Sequence, residues 1–412
     1  AAPLVAGLFA PGFLDQPAKF ALTADLIRVT FPYLLLISLT GLCGAVLNSY
    51  GRFAVPAVTP VFLNLSLIAA ATVAAPWFEE PAFALAWGVF TAGVVQLLFQ
   101  LPFLRRLELV PRPRWDTAHP GVRQILKLMV PALFGVSVSQ VNLLLDTVLA
   151  SFLPTGSVSW LYYSDRLAEL PLGVFGIAIA TVILPSLSAD RAAAREERFT
   201  PTLDWAVRTV LLVAVPATAA LLVLAEPILI TLFQYGELSP RDVAMAGYSL
   251  RAYALGICAF MLIKVLAPGF YARQDMVTPV RIGIRAMVAN MVLNIAFVVP
   301  LMVYLDLGHV GLALATSVAA YLNAGLLWRG LRREGIYRFD PAWRVFLPRL
   351  LAATAVMVGL VLWLSPGAQA WLAWGWQRRA LELAQLVTVG GGAYVAILAA
   401  AGVRLRDLRS PP

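Results

Sequence analysis

The sequence predicts an all-α polytopic membrane protein, and three observations carry that prediction. Of 412 residues, 60% are hydrophobic and 13% are charged, whereas a water-soluble domain carries about a quarter charged residues. The apolar residues fall into eleven long stretches behind a shorter apolar opening, each with the ~20 residues a bilayer requires. Lysine and arginine, finally, crowd into alternate connections between those stretches.

The chain opens without a Met, as AAPLVAGLFAPGF. This reads as the closing half of a hydrophobic segment, so a chain truncated at its N-terminus is expected. Complete spans follow at 27–50, 57–77, 82–104, 124–152, 159–185, 205–233, 244–270, 280–303, 308–330, 344–365 and 380–403. Pro32, Pro60, Pro131 and Pro216 lie within or near helix starts, where kinks are expected. Cys43 and Cys258 both sit in apolar segments and are read as free thiols.

Loop charge sets the orientation. Twenty-two Lys/Arg fall in one alternating set of connections, near Arg52, Arg105–Lys127, Arg191–Arg198, Arg273–Arg285, Arg329–Arg349 and Arg404–Arg409, and four (Lys19, Arg241, Arg378, Arg379) in the other. The basic set belongs in the cytoplasm, which makes the C-terminus cytoplasmic. The net charge of +9 is thereby assigned to loop ends rather than to nucleic acid. Arg28, Arg208 and Lys264 lie near helix ends and can snorkel. Arg166 and Arg251 lie deeper, and only Arg166 has carboxylates beside it in sequence.

An internal repeat is visible. Residues 48–56 read NSYGRFAVP and residues 269–279 read GFYARQDMVTP, so that Tyr50/Tyr271, Arg52/Arg273 and Pro56/Pro279 align with a short gap. Six helices separate the copies, as in parallel repeats about an axis along the membrane normal. By this measure about 90 residues, or two and a half helices, precede the first residue. The full plan is then six helices, six helices and a final pair, with divisions at 1–114, 115–335 and 336–412.

Chemistry is concentrated in residues 156–171, GSVSWLYYSDRLAELP. Asp165, Arg166 and Glu169 stand about two turns into an apolar helix, where an unpaired charge costs about 3 kcal/mol or more. Asp165 and Glu169 are spaced i, i+4, and Arg166 and Glu169 i, i+3. The triad reads either as a basic site for an anionic substrate buffered by two carboxylates or as a self-neutralised structural cluster. The functional reading is preferred, because intramembrane ionisable groups mark pathways. Asp146, Asn290, Asn294 and Thr316 form a second polar set. Their oxygens could coordinate a monovalent cation, but interhelical hydrogen bonding is the preferred reading, as for Gln96, Gln100 and Gln140. Trp77, Trp87, Trp205 and Trp343 read as an aromatic belt. The loops 105–123 and 329–344 read as contacts with anionic lipid, and Gly390–Gly392 as a site of close helix packing.

Neither a Walker A sequence, nor H-E-x-x-H, nor G-x-S-x-G occurs, and the two histidines, His119 and His309, fall in predicted loops. A catalytic metal or Ser-His site is therefore not expected. The energy source, if one is needed, is expected to be an ion gradient or the membrane potential.

Residues 156–171, residues 264–280 (KVLAPGFYARQDMVTPV) and residues 232–236 (LFQYG) resemble the MurJ-type lipid II flippases of the multidrug/oligosaccharidyl-lipid/polysaccharide (MOP) exporter superfamily. The resemblance implies fourteen helices, in two lobes around a cationic cavity that faces alternate sides, with the last pair forming a groove for an undecaprenyl tail. It implies a bacterial inner-membrane protein, not an enzyme, that flips a disaccharide-pentapeptide linked to undecaprenyl pyrophosphate. Membrane lipids and the cell-wall synthesis machinery are the implied partners, and no cofactor is implied. Arg166 occupies the family's functional arginine, with Asp165, Glu169 and Ser159 matching its neighbours. Some members resemble sodium-coupled transporters with a site like that of Asp146, Asn290, Asn294 and Thr316. The family's other cavity arginines sit on its first two helices, which this sequence lacks, so the chain as given is not expected to flip lipid unaided. The rival expectations are a sister exporter of another polyprenyl-linked sugar or of drugs, a membrane enzyme acting on polyprenyl phosphates, and a non-transporting cell-wall scaffold.

Overall fold

The computed structural model describes residues 2–109, 120–176, 179, 183–188, 196–337 and 340–403. Among them there is no β-strand, and nine helices are long and apolar enough to cross a membrane. Arg112, Arg114, Arg191, Arg195, Arg338 and the arginines beyond 403, which count toward the predicted orientation, lie outside the described residues, as does His119. The chain divides into two compact units, Ala1–Ser137 with Thr147–Phe152, and Val138–Asp146 with Leu153–Pro412.

The first unit opens with α1 (Ala2–Phe9) and α2 (Pro17–Thr30), followed by α3 (Tyr33–Ser49), α4 (Ala54–Val58), α5 (Val61–Ala69) and α6 (Pro81–Arg106). Helix begins at Pro17, ten residues before the predicted span, because charge ends an apolar run but not a helix. Arg28 and Asp25 pair at 2.6 Å on the exposed surface of α2. The expected disturbances at Pro32 and Pro60 are interruptions, between α2 and α3 and between α4 and α5, since proline lacks the N–H that an unbroken helix needs. Gln96 and Gln100 of α6 donate to Thr59, at 3.3 Å to its carbonyl and 2.9 Å to its hydroxyl. These are the packing bonds expected of them, whereas Gln140 is exposed.

The helix α7 (Pro120–Ser151) contributes to both units. The second unit continues with α8 (Ser157–Pro171), α9 (Glu196–Phe233), α10 (Pro240–Tyr271), α11 (Val277–Leu305), α12 (Gly308–Arg333), α13 (Trp343–Leu364), α14 (Ala368–Ala373) and α15 (Trp376–Ala400). Pro216 lies inside α9, which stays helical through it. The most buried of the spans is α10, which packs against α8, α9 and α12. In lipid such packing depends on close approach and hydrogen bonds rather than on release of water. A Cβ on Gly256 would lie 2.6 Å from Ser317 Oγ, and that hydroxyl donates to Ala252 O at 2.7 Å. Bonds of this kind are worth about 0.6–2 kcal/mol in a membrane. The pair α13 and α15 packs together and against α9, where Tyr394 donates to Leu212 O at 2.6 Å. Of the three glycines expected to permit this packing only Gly390 does so, since its Cβ would sit 2.7 Å from Val361, while Gly391 and Gly392 face open space.

Five described helices that run into arginine-bearing connections end in the same way. The helices α3, α6, α10, α12 and α15 are closed by left-handed residues, namely Gly51, Glu108, Gln274, Gly335 and Gly402. In each, that residue's N–H and the next one bond back to carbonyls three and five residues earlier, as from Gly51 to Asn48 and from Arg52 to Leu47. This is the Schellman closure, which satisfies carbonyls a helix end leaves orphaned. It also corrects the repeat. Pro56 follows Gly51, and Pro279 follows Gln274, by five residues in each case. The two copies therefore match without a gap, and the Tyr and Arg pairs fall two residues out of register. The turn and the proline constrain the backbone, whereas exposed side chains beside a turn are free to drift.

Candidate functional site

The motif of residues 156–171 divides into two faces of α8. One is locked into the protein. Gly156 has φ 104°, and a Cβ there would meet the Trp160 ring at 2.6 Å. Trp160 is buried and donates from Nε1 to Asp242 Oδ1 at 2.8 Å. Asp242 also completes a capping box with Ser239 at the start of α10. One turn along α8, the buried Ser164 hydroxyl lies 2.7 Å from Ala246 O and from Trp160 O. His309, expected in a loop, is instead the second residue of α12 and fully buried, with Nε2 3.2 Å from Met245 O and its ring against Trp160. A hydropathy boundary falls at a histidine, whereas the helix boundary is set by Gly308, packed close against Leu153 and Met302.

The other face carries the predicted substrate residues. Ser159, Tyr162, Arg166 and Glu169 are exposed and share this side of the helix. Arg166 pairs with Glu169 at 3.0 Å, and its guanidinium centre lies 5.1 Å from that of the Tyr162 ring. Glu169 is thus the carboxylate that orients the arginine, and Asp165 is partly buried. One ion pair leaves most of the five-donor guanidinium fork available. Immediately beyond, Pro171 removes a helix donor and the chain passes into a π-helical turn, Leu172–Gly176.

The structure brings the second predicted set together in full. Asn294 Nδ2 donates to Asp146 Oδ1 at 2.7 Å and to Asn290 Oδ1 at 3.3 Å. Asn290 Nδ2 donates to Thr316 Oγ1 at 3.4 Å, and Asn142, absent from the predicted set, donates to Asp146 Oδ2 at 3.3 Å. Oδ1 of Asn294 and Oδ1 of Asn142 are buried with no partner among the described residues. A carboxylate flanked by unpaired amide oxygens suits a hard monovalent cation. Among the described residues no group of three His, Cys, Asp or Glu side chains converges to hold another metal.

Three arginines differ from their sequence reading. Arg251, which has no carboxylate near it in sequence, pairs with Glu226 of α9 at 2.9 Å and donates to Leu222 O at 3.2 Å. The signal was present, since Glu226 and Arg251 lie a few turns to either side of one tight connection. Arg379, counted as a loop charge, is only 5% exposed and donates to the carbonyls of Trp371, Leu372, Ile230 and Gln234. No local pattern announces this, because its partners lie up to 149 residues away. Arg208, expected to snorkel, pairs with Asp204 at 2.6 Å and Asp340 at 3.3 Å. Asp204 is buried and also accepts from Tyr337 at 2.8 Å and from Trp343 at 2.6 Å. Trp343 therefore anchors the start of α13 to α9, whereas Trp77 and Trp87 are exposed as a belt requires.

The fold and the charged apolar helices define a multi-pass membrane protein of the transporter class. Two solved structures share that fold: "Lipid II flippase MurJ, inward closed conformation", with TM-score 0.78 and 22% identity over 99% of this chain and 79% of that one, and a multidrug resistance MATE family transporter of the MOP superfamily in an inward-facing conformation, with TM-score 0.65 and 17% identity over 81% and 76%. The family model described as "Lipid II flippase MurJ" matches residues 1–376. A "Probable lipid II flippase MurJ" of Vibrio cholerae is 52% identical over 98% of this chain and 78% of the relative. Another, of Haemophilus influenzae, is 46% identical over 98% and 81%. The chain belongs to the lipid II flippase MurJ family.

Proposed function

We propose that this protein carries lipid II, the disaccharide-pentapeptide on undecaprenyl pyrophosphate, from the inner to the outer leaflet of the bacterial cytoplasmic membrane by alternating access. The observation that carries the reading is that α8 is locked on one face and presents Arg166 on the other. A pyrophosphate cannot cross hydrocarbon unaided, and a guanidinium offers phosphate oxygens paired, charge-assisted hydrogen bonds. In this reading Arg166 holds the pyrophosphate, Glu169 orients it, Asp165 and Ser159 complete the polar face, and no covalent chemistry is performed.

The architecture proposed with it has fourteen helices, in lobes that correspond here to 1–114 and 115–335. The final pair, 336–412, forms the tail groove and ends in the cytoplasm. Asp146, Asn290, Asn294 and Thr316, joined by Asn142, fit a sodium ion, which would couple transport to the ion gradient alongside the membrane potential. Contact with the cell-wall synthesis machinery belongs to the same proposal.

The test uses cells depleted of the intact protein and an external enzyme that cleaves only outward-facing precursor. Precursor should accumulate in protected form, and the intact protein, but not its Arg166→Ala variant, should reverse this. Precursor that stays accessible after depletion would move the sister-exporter and scaffold readings ahead. Normal flipping by Arg166→Ala would remove that residue from the site.

A further inference from the structure

A pocket of about 360 Å³ lies between α7, α10, α11 and α12, and its wall includes Asn142, Asn290, Thr316, Ala320, Gly283 and Asn323. Asn290 and Thr316 belong to the hydrogen-bonded network around Asp146. From them the wall runs seven residues back along α11 to Gly283 and seven forward along α12 to Asn323. Both arms cover about 10 Å of helix, and both lead to arginine-bearing ends, at Arg281 on α11 and at Arg329 on α12. A Cβ on Gly283 would meet nothing within 4 Å.

The wall chemistry selects the occupant. Phe260, Ile263 and Met287 share the wall, and Asn290 and Thr316 are bonded to each other, but a lipid chain here would still lay hydrocarbon against the Asn142 and Asn323 amides, at about 1–3 kcal/mol for each polar group left without a partner. Water needs room and several polar partners, and both are present. Asn142 lines the pocket, and its amide nitrogen, bonded to Asp146 Oδ2 at 3.3 Å, ties the pocket to that carboxylate. We infer that this pocket is a water-filled vestibule through which a monovalent cation passes between Asp146 and the arginine-rich side, with Asn142 and Asn323 as its polar steps. The inference rests on the cation reading of the Asp146 cluster and assigns to that site a route and a side.

The test uses Gly283→Cys in the intact protein, in sealed vesicles whose arginine-rich side faces outward. The unsubstituted protein, with Cys43 and Cys258 in apolar segments, is the control. A membrane-impermeant thiol reagent added outside should modify Gly283→Cys and spare the control. A bulky adduct should then slow radioactive sodium exchange about tenfold, the effect of about 1.4 kcal/mol of added barrier, while a methyl-sized adduct leaves it unchanged. Asn323→Cys repeats the test if Gly283→Cys misfolds. Absence of modification from that side, or unchanged exchange behind the bulky adduct, overturns the vestibule. If the unsubstituted protein binds no sodium, the cation reading itself is overturned, and the vestibule as a cation route with it. Flipping of lipid II is assayed separately, so that failure of the flippase reading is distinguished from either result.

Discussion

Arg166 and Arg379 are the same residue put to opposite uses. The Arg166 side chain is 58% exposed and has a single ion pair with a neighbour on its own helix. Arg379 is 5% exposed and gathers four backbone carbonyls from the end of α9 and the segment around α14. The carbonyl end of a helix carries partial negative charge, so α9 offsets the buried guanidinium without a carboxylate. An arginine whose donors are spent on backbone holds a fold together, and one whose donors stay free can meet a ligand.

Substitutions grade that contrast. Arg379→Ala should cost most, about 3 kcal/mol, because it leaves buried carbonyls without partners. Thermal unfolding of the purified protein would read this as a large fall in midpoint, and Arg379→Lys should recover only part of it, since an ammonium cannot span the same fork of acceptors. Arg251→Ala comes next, at about 1–2 kcal/mol in the same measurement, because its pair with Glu226 is one-third exposed. Arg166→Ala should change stability by less than about 1 kcal/mol while abolishing flipping. A loss of stability equal to that of Arg379→Ala would break the comparison and return Arg166 to a structural role. Arg28→Ala removes a wholly surface pair and should leave both stability and flipping within error.

One further effect depends on pH. Asp275 accepts the N–H groups of Val277 and Thr278 at 3.1 and 3.0 Å, and the bonds from Thr278 hold its carboxyl below the usual range. A carboxyl with a lowered folded-state pKa stabilises fully above its unfolded value of about 3.9 and loses that contribution as pH falls through the folded value. Asp275→Ala should therefore lower stability at neutral pH by less than about 1 kcal/mol, since solvent screens the exposed carboxylate, with the gap to the unsubstituted protein closing below pH ~4. A gap independent of pH would assign the effect to packing instead.

The legible part of the site was the motif. Asp165, Arg166 and Glu169 announced themselves because charge inside an apolar run is costly, and Asp146, Asn290, Asn294 and Thr316 because amides and hydroxyls there need partners. Asn142 was missed although it lies one turn from Asp146. The locked face of the motif was missed as well, since nothing in Gly156, Trp160 and Ser164 says that Asp242, Met245 and Ala246 stand opposite.

The sequence alone determined the membrane class, the approximate spans, the uneven loop charge and the arginine worth testing. These follow from the bilayer acting as solvent on each residue separately, so they can be read one stretch at a time. Tertiary structure decided which charges are paired, where His309 lies, why only Gly390 of its three glycines is needed, and the register of the repeat. Those outcomes depend on side chains meeting backbone up to 149 residues away, and a local pattern carries no record of such encounters.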